Sequence, residues 1–174
     1  LRGLYYGITA NEFAAKATYR WHESRNVSLR VAYLPFSDGN QRVTGGLAYE
    51  ERVINVPGFD LTGRAQAYAS NNSLGGTVPY YNPSQDLSLT GGFLAEQVLW
   101  RRYENSLVHA LTVDAGLYAE QNYASNWIGT INYEQRWRFD PLTEFRYGVM
   151  LMRRVYDGSV ENTLGFVIGL RQRI

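Results

Sequence analysis

Cysteine is absent from the 174 residues, which excludes disulfide bonds, thiolate catalysis and Cys-ligated metal sites. Long apolar runs are also missing, since Gly148–Met152 and Phe166–Leu170 are far shorter than the roughly 18 residues that a membrane-spanning helix requires. Neither charge sign is in excess: the formal net charge is +1, which gives no reason to expect a nucleic-acid partner. No signal peptide is recognisable from Leu1 onward, so we expect a processed protein or a piece of a longer one.

The composition that remains is suited to strands. The chain contains 14 Tyr and 17 Gly but only 5 Pro, a mixture that favours β-structure over a helical bundle. Apolar and polar residues alternate with period two along most of its length, and the segment from Trp127 to Trp137 shows the pattern clearly. Nine segments alternate in this way, and a shorter one from Leu4 to Ile8 indicates a further strand, which makes ten.

Strands of this length with an unbroken apolar face indicate an all-β fold. We expect residues 1–174 to form an antiparallel transmembrane outer-membrane β-barrel, or part of one, with about ten strands in this chain. About 9–11 residues of a tilted strand cross a bilayer, and several of these segments are longer than that. We expect the odd-numbered residues of the strand cores, from Phe13 to Leu170, to face lipid. A soluble β-sandwich, whose inner faces also alternate, is the alternative.

The connections fall into two alternating sets, which predicts an orientation. Outer-membrane barrels have short periplasmic turns and longer extracellular loops. We assign to the periplasm the tight turns Glu23–Asn26, Asn55–Gly58, Glu104–Ser106 and Asp140–Thr143. The longer set is then extracellular and comprises Ser37–Asn40, Asn71–Asp86, Gln121–Asn126 and Asp157–Asn162. The last strand then runs toward the periplasm and ends at Ile174, and Asn71–Asp86 is expected to be an accessible external loop.

The even-numbered positions supply the candidate functional residues, because they would line a polar lumen. Four acids among them could form a path for a cationic solute, namely Asp114, Glu120, Glu134 and Glu144. Four aromatic residues could stack against sugar rings, namely Tyr68, Trp100, Tyr118 and Tyr156. The alternative for the acids is a network of cross-strand ion pairs, with Arg136 and Arg146 as neutralising neighbours, and for the aromatics it is packing.

Signals for catalysis are poor. The only histidines are His22, at an expected strand end, and His109, which has the lipid-facing parity. None of the common hydrolase, zinc-protease or nucleotide-binding motifs occurs. We therefore expect no enzyme, no metal and no cofactor, although a lipid acyltransferase with Ser, His and a carboxylate at one rim stays open as an alternative.

Several longer strings resemble a known family. They are Val78–Asp86 (VPYYNPSQD), Leu99–Glu104 (LWRRYE), Tyr133–Arg138 (YEQRWR) and Arg154–Gly158 (RVYDG). These strings are similar to the C-terminal barrel of the export porins for poly-β-1,6-N-acetylglucosamine, a biofilm exopolysaccharide. The match is clear from Val78 to Leu170, and the earlier strands are compatible with it.

The resemblance implies a barrel of about sixteen strands, preceded by periplasmic tetratricopeptide repeats, of which this chain would be the C-terminal portion. It also implies passage of a partly de-N-acetylated, cationic polymer through an acidic lumen. This chain departs from that pattern in three respects: it has fewer strands, it has no helical repeats, and its inner face carries more Arg than acid.

The function expected on these grounds is passive export of an exopolysaccharide across the outer membrane of a Gram-negative bacterium. The expected partners are membrane lipids, the exopolysaccharide, and periplasmic machinery that synthesises and modifies it. The alternative is a small structural or solute-permeable barrel, which the strand number of the intact protein would distinguish from an export barrel.

Overall fold

The computed structural model describes residues 5–172 and shows a single antiparallel sheet whose nine strands follow one another in sequence order. The strands are β1 Phe13–His22, β2 Arg25–Pro35, β3 Gln41–Val56, β4 Phe59–Asn72, β5 Gln85–Arg102, β6 Asn105–Glu120, β7 Asn126–Arg138, β8 Thr143–Tyr156 and β9 Ser159–Gln172. A short 3-10 helix, Gly75–Thr77, lies between β4 and β5. Within residues 5–172 no helix is long and apolar enough to cross a membrane.

The expected tenth strand is not found in the described residues, and the prediction for Leu4–Ile8 is corrected accordingly. Tyr6 and Gly7 form a turn, and Ala10 makes a single antiparallel bridge to Phe36. Leu4 lies outside the described residues. A lone bridge beside a turn leaves too few ladder hydrogen bonds for a strand.

The apolar side of the sheet is bare, which rules out the sandwich alternative for this part of the chain. Phe166 and Ile168 are 77% and 78% exposed, and only four apolar residues of the described chain are buried. A sandwich would cover this face with a second sheet at about 10 Å. No such layer exists among residues 5–172, so the solvent that suits this face is lipid.

The strand ends form two rims, named here by their connections. The turn rim joins strands through residues 23–24, 57–58, 103–104 and 139–142. The loop rim joins them through residues 36–40, 73–84, 121–125 and 157–158. The predicted alternation of tight turns and longer loops is therefore present, with one exception: the predicted loop Asp157–Asn162 is a two-residue turn. Both of its residues have positive φ, 51° at Asp157 and 73° at Gly158, as in the hairpin turns that match strand twist.

Three β-bulges keep the lipid-facing parity constant. A two-residue turn pairs an odd residue with an even one, so each such turn would exchange the two faces. At the turn rim the exchange is cancelled by one unpaired residue in the strand before the turn: Trp21 in β1, Val53 in β3 and Leu99 in β5. Odd-numbered residues therefore face outward through the central parts of β1–β8, as predicted.

The parity prediction is wrong for β9. The turn at residues 157–158 joins β8 and β9 without a bulge, so that Leu151 lies opposite Leu164 and Val149 opposite Phe166. Even-numbered residues consequently face outward in this strand. The lipid-facing side chains of β9 are Leu164, Phe166, Ile168 and Leu170.

Glycines on the even-numbered face allow neighbouring strands to approach closely. A Cβ atom added at Gly92 would overlap the carbonyl oxygen of Val113, and one at Gly116 would overlap that of Leu89. Glycines inside strands often mark such close approaches and the bends of a curved sheet. This face is called the inner face below, together with the odd-numbered face of β9.

Candidate functional site

The inner face of β4–β6 carries an ion-pair group that is possible because of a glycine. Arg64 on β4 lies opposite Gly92 on β5, and Gly92 lies opposite Asp114 on β6. Because Gly92 has no side chain, the Arg64 guanidinium reaches across β5 to within 3.6 Å of Asp114, and it lies 3.8 Å from Glu50. Asp114, a candidate from the sequence, is therefore charge-compensated.

A second group on β5–β7 has the same construction. Ala110 on β6 separates Glu96 from Glu134 in the register, and this small residue leaves room above it. The Arg136 guanidinium fills that room and lies 2.6 Å from a carboxylate oxygen of each acid. Glu134, another candidate, is 6% exposed, so its charge depends on Arg136.

A third acidic candidate, Glu144, is also paired, but loosely. Glu144 lies opposite Arg138 in the register, with 3.6 Å between their charged atoms. The predicted neighbour Arg146 makes no ion pair within residues 5–172. Along the middle of the sheet and at the turn rim, the inner wall is thus polar, and the candidate acids Asp114, Glu134 and Glu144 are each compensated by an arginine.

The inner face at the loop rim is different, because two acids meet there with no basic partner in the part of the chain that the structure describes. Asp86 on β5 lies directly opposite Glu120 on β6, and neither makes an ion pair in the described residues. The Asp86 carboxylate accepts hydrogen bonds from the hydroxyls of Ser70 and Tyr118, and Glu120 accepts one from Tyr81 at 3.4 Å. Like charges in this position are destabilising unless something compensates them.

Aromatic residues surround this acid pair. The Tyr81 hydroxyl is hydrogen-bonded to that of Tyr118, and the Tyr81 ring packs edge-on against Tyr156 with 4.9 Å between centroids. Tyr118 and Tyr156 project from the inner faces of β6 and β8 respectively, whereas Tyr81 comes from the loop at residues 73–84. Together with Asp86 and Glu120 these three residues are called the mouth cluster. The sequence candidates Glu120, Tyr118 and Tyr156 are thus brought together.

The loop at residues 73–84 is held over the inner face rather than extending away from it. Asn40, which is 0% exposed, donates from its side-chain amide to Asn82 at 2.9 Å and to Tyr80 at 3.1 Å, and its side-chain Oδ1 atom accepts the backbone N–H of Leu74. Asn72 donates to the Pro83 carbonyl oxygen at 2.7 Å. The predicted external loop is therefore ordered, and its second half packs against the sheet.

Two tyrosines of this loop stay protonated over the physiological range. Burial raises the pKa of Tyr81, and the carboxylates of Glu120, Asp86 and Asp157 raise it further. Burial also raises the pKa of Tyr80, whose hydroxyl donates to Asp38 at 3.0 Å while its ring stacks on Phe36. Both phenols consequently act as hydrogen-bond donors toward acids.

The two remaining aromatic candidates, Tyr68 and Trp100, lie on opposite faces of the sheet. Tyr68 lies on the inner face of β4, where its hydroxyl accepts a hydrogen bond from Arg42 at 3.0 Å. Trp100 was predicted for the lumen, and this is corrected: the bulge at Leu99 places it opposite Leu107, on the lipid-facing side. A one-residue bulge reverses every side chain between it and the turn, and alternation alone does not reveal it.

The histidines lie outside the inner face, as their sequence positions indicate. His22 is at the turn rim, with its Nδ1 atom 2.9 Å from the Ser24 hydroxyl, and His109 faces outward, 2.9 Å from the Tyr133 hydroxyl. No group of His, Asp and Glu suited to holding a metal ion is present within residues 5–172.

Sequence reasoning missed Tyr81, Asp86 and Asn40 as parts of the site. Alternation assigns the faces of strands but not the direction in which a loop folds. The string Val78–Asp86 carried the family resemblance, and it contains two of these residues. An Asn- and Tyr-rich loop next to inward-facing acids was the one available signal.

Comparisons with known proteins agree with this architecture. The model of the PgaA membrane beta barrel domain matches residues 1–174. The poly-beta-1,6-N-acetyl-D-glucosamine export proteins of Escherichia coli strain K12 and of Escherichia coli O157:H7 are each 30% identical over 166 residues, which is 94% of this chain and 20% of theirs. A solved bacterial polysaccharide outer membrane secretin superposes with a TM-score of 0.94 at 26% identity, over 99% of this chain and 59% of that one. The chain thus belongs to the PgaA membrane β-barrel domain family and forms part of the wall of an outer-membrane β-barrel.

Proposed function

We propose that this chain is the C-terminal part of an outer-membrane barrel that exports a polysaccharide of the poly-β-1,6-N-acetylglucosamine type. Membership of the family and the names of the relatives support this, and the chain spans a fifth of the length of those curated relatives. The observation that carries the proposal is the continuous polar inner face, which ends at the loop rim in the mouth cluster. The transport step is passive and involves no covalent chemistry.

The topology of the sheet supports a barrel larger than these nine strands. Strands β1 and β9 run in the same direction because eight antiparallel steps separate them. A closed, wholly antiparallel barrel built on this sheet needs an odd number of further strands, and the solved secretin, of which the chain covers 59%, leaves room for them. A larger barrel encloses a channel, whereas a small one is filled by its own side chains.

The inner wall suits a polymer that must slide without being held. A carboxylate that already faces an arginine binds a passing ammonium group weakly, because the arginine competes for it. Such contacts are worth about 1 kcal/mol each in a wet channel. Weak and repeated binding permits movement, while a single tight site would stall the chain.

The mouth cluster offers the strongest local attraction for a cationic sugar. Asp86 and Glu120 face each other with no basic partner among residues 5–172, and an ammonium group of a de-N-acetylated glucosamine would supply the missing positive charge. The rings of Tyr118 and Tyr156 provide faces for sugar stacking and for cation–π contact. Because Tyr81 packs over Tyr118 and Tyr156 and both acids are buried, contact of the polymer with Asp86 and Glu120 requires the loop to move away from the inner face.

The turn rim would face the periplasm and receive the polymer there. On this proposal the periplasmic machinery that synthesises and modifies the polymer delivers it to the end of the barrel that carries Arg136 and Arg138. Export then proceeds past the Arg64 group to the mouth cluster at the loop rim.

A secretion assay in cells tests the proposal. The intact protein carrying Asp86→Asn and Glu120→Gln should export polymer several times more slowly than wild type, because the substitutions remove the charge and keep the shape. Glu12→Gln is the control, since this acid is exposed and paired with Arg30 at the edge of the sheet. Barrel folding is checked for both by heat-modifiability on gels. Unchanged secretion per folded barrel in the double variant would remove the mouth cluster from the export route.

A further inference from the structure

The outer face carries a groove near the loop rim, in the region of β6–β9. Its floor is formed by two small residues, Ala115 and Gly129, which lie opposite each other in the register. Most of its outward-facing side chains are apolar, with Arg153 and Asn162 as the polar ones, and the groove has a volume of about 470 Å³. Its walls include Val113, Ile131, Leu151 and Leu164.

Arg153 lies at the end of this groove that is nearer the loop rim. It is opposite Gly129 on β7 and Asn162 on β9, positions that face outward. Its guanidinium carbon is 4.2 Å from the centroid of the Trp127 ring, and its Nε atom donates to the Trp127 carbonyl oxygen at 3.2 Å. No carboxylate of residues 5–172 pairs with Arg153, and both of its terminal nitrogens remain available.

The position of Arg153 corresponds to the edge of the lipid-facing band. Trp127 and Trp137 mark the two aromatic ends of β7, and ten residues of strand measure about 33 Å, or about 25 Å of height at a tilt near 40°. That height equals the usual apolar band of outer-membrane barrels. Arg153, which pairs with no carboxylate of residues 5–172, therefore lies at the level of the lipid headgroups and next to the groove.

We propose that Arg153 and this groove bind one molecule of the phosphorylated glycolipid of the outer leaflet, lipopolysaccharide. The planar guanidinium, held in place by Trp127, forms a bidentate contact with a phosphate group. An acyl chain of the same molecule lies along Ala115 and Gly129. The carbohydrate headgroup then rests beside the loop rim, where Asn162 offers a further hydrogen-bonding group.

We choose the glycolipid over an ordinary phospholipid because the groove lies in the leaflet of the membrane that faces the cell exterior. The loop rim is the extracellular rim in the orientation inferred from the connections, and the outer leaflet of such membranes consists of phosphorylated glycolipid. Charge complementarity supplies the second argument, because the groove ends in Arg153, a cation that pairs with no carboxylate among residues 5–172.

A binding titration tests this inference independently of polymer export. The intact protein is placed in phosphatidylcholine nanodiscs, lipopolysaccharide is added, and the bound lipid is counted by native mass spectrometry. Arg153→Gln should weaken binding about tenfold, the loss expected for one charge-assisted contact. Ala115→Leu should also weaken it by filling the floor of the groove. Arg154→Gln is the matched control, because Arg154 is the next residue on β8 and faces inward toward Glu161.

Titrations with different lipids show whether the bound phosphate belongs to lipopolysaccharide or to a phospholipid. Dephosphorylated lipopolysaccharide should bind equally weakly to wild type and to Arg153→Gln. Phosphatidylglycerol should compete poorly, and equally strong competition would overturn the assignment to the glycolipid. Equal affinities of the Arg153→Gln and Arg154→Gln proteins for lipopolysaccharide, with both shown to be folded by heat-modifiability, would overturn the site itself.

Discussion

Arg136 and Arg138 are neighbours on the inner face of β7, yet they have different structural roles. Arg136 lies within hydrogen-bond distance of both Glu96 and Glu134, and Glu134 is almost completely buried. Arg138 is more than half exposed and lies 3.6 Å from its single partner, Glu144. Arg136 therefore holds two acids in place, whereas Arg138 is a loosely paired surface group.

This difference predicts unequal stability losses. Arg136→Gln should destabilise the barrel by about 2–3 kcal/mol, because it leaves two acids close together and one of them buried. Arg138→Gln should cost less than about 1 kcal/mol, since exposed pairs contribute little. Urea unfolding of the intact protein in lipid vesicles measures both. Equal losses would show that Arg136 does not organise the acids around it.

The acidic candidates identified from the sequence also differ in whether they pair with an arginine. Asp114, Glu134 and Glu144 each face an arginine, as the structural alternative predicts, whereas Glu120 meets Asp86 and tyrosines. The residue types and their parity were visible in the sequence. The pairing was not, because it depends on whether a small residue such as Gly92 or Ala110 stands on the intervening strand.

At the scale of strands, much of the fold could be predicted from alternation alone. The strands and the outward parity of β1–β8 follow from it, because one face must be apolar in lipid. Two features could not be predicted in this way. Whether the chain turns in two residues or in five, and whether a bulge precedes the turn, decides which face a side chain occupies. Trp100 and the whole of β9 were misassigned for these two reasons.

The reversed parity of β9 can be tested with two adjacent residues. Ile168 faces lipid in the middle of the strand, whereas Val167 faces inward. Ile168→Arg should cost about 2–4 kcal/mol near the midplane of the bilayer. Val167→Arg should cost much less, because its charge enters the polar lumen. Refolding titrations in bilayers compare the two, and a greater loss for Val167→Arg would restore the odd-numbered parity.

The whole molecule is oriented by the alternation of its connections. The turn rim has three two-residue turns, and the loop rim has the twelve-residue connection at residues 73–84. Short turns face the periplasm in bacterial outer-membrane barrels. The inward fold of the long connection changes which of its residues can be reached from outside, because residues 80–84 pack against the sheet.

A pair of cysteine variants tests this orientation. Gly76 is exposed and a side chain there would meet no atom within 4 Å, while Glu104 lies in a tight turn at the opposite rim. Gly76→Cys should react with an impermeant thiol reagent on intact cells. Glu104→Cys should react only after the outer membrane has been opened. The reverse pattern would invert the topology, and with it the assignment of the mouth cluster to the cell exterior.

Movement of the polymer along the inner face of this sheet can be tested by photo-crosslinking during export. Thr112 and Val113 are adjacent on β6, and they face the lumen and the lipid respectively. A photoreactive amino acid replaces one or the other in the intact protein, and cells that produce polymer are irradiated. We expect a barrel–polysaccharide adduct from position 112 and only lipid adducts from position 113. Absence of polysaccharide from the position 112 adducts, or equal amounts at both positions, would contradict it.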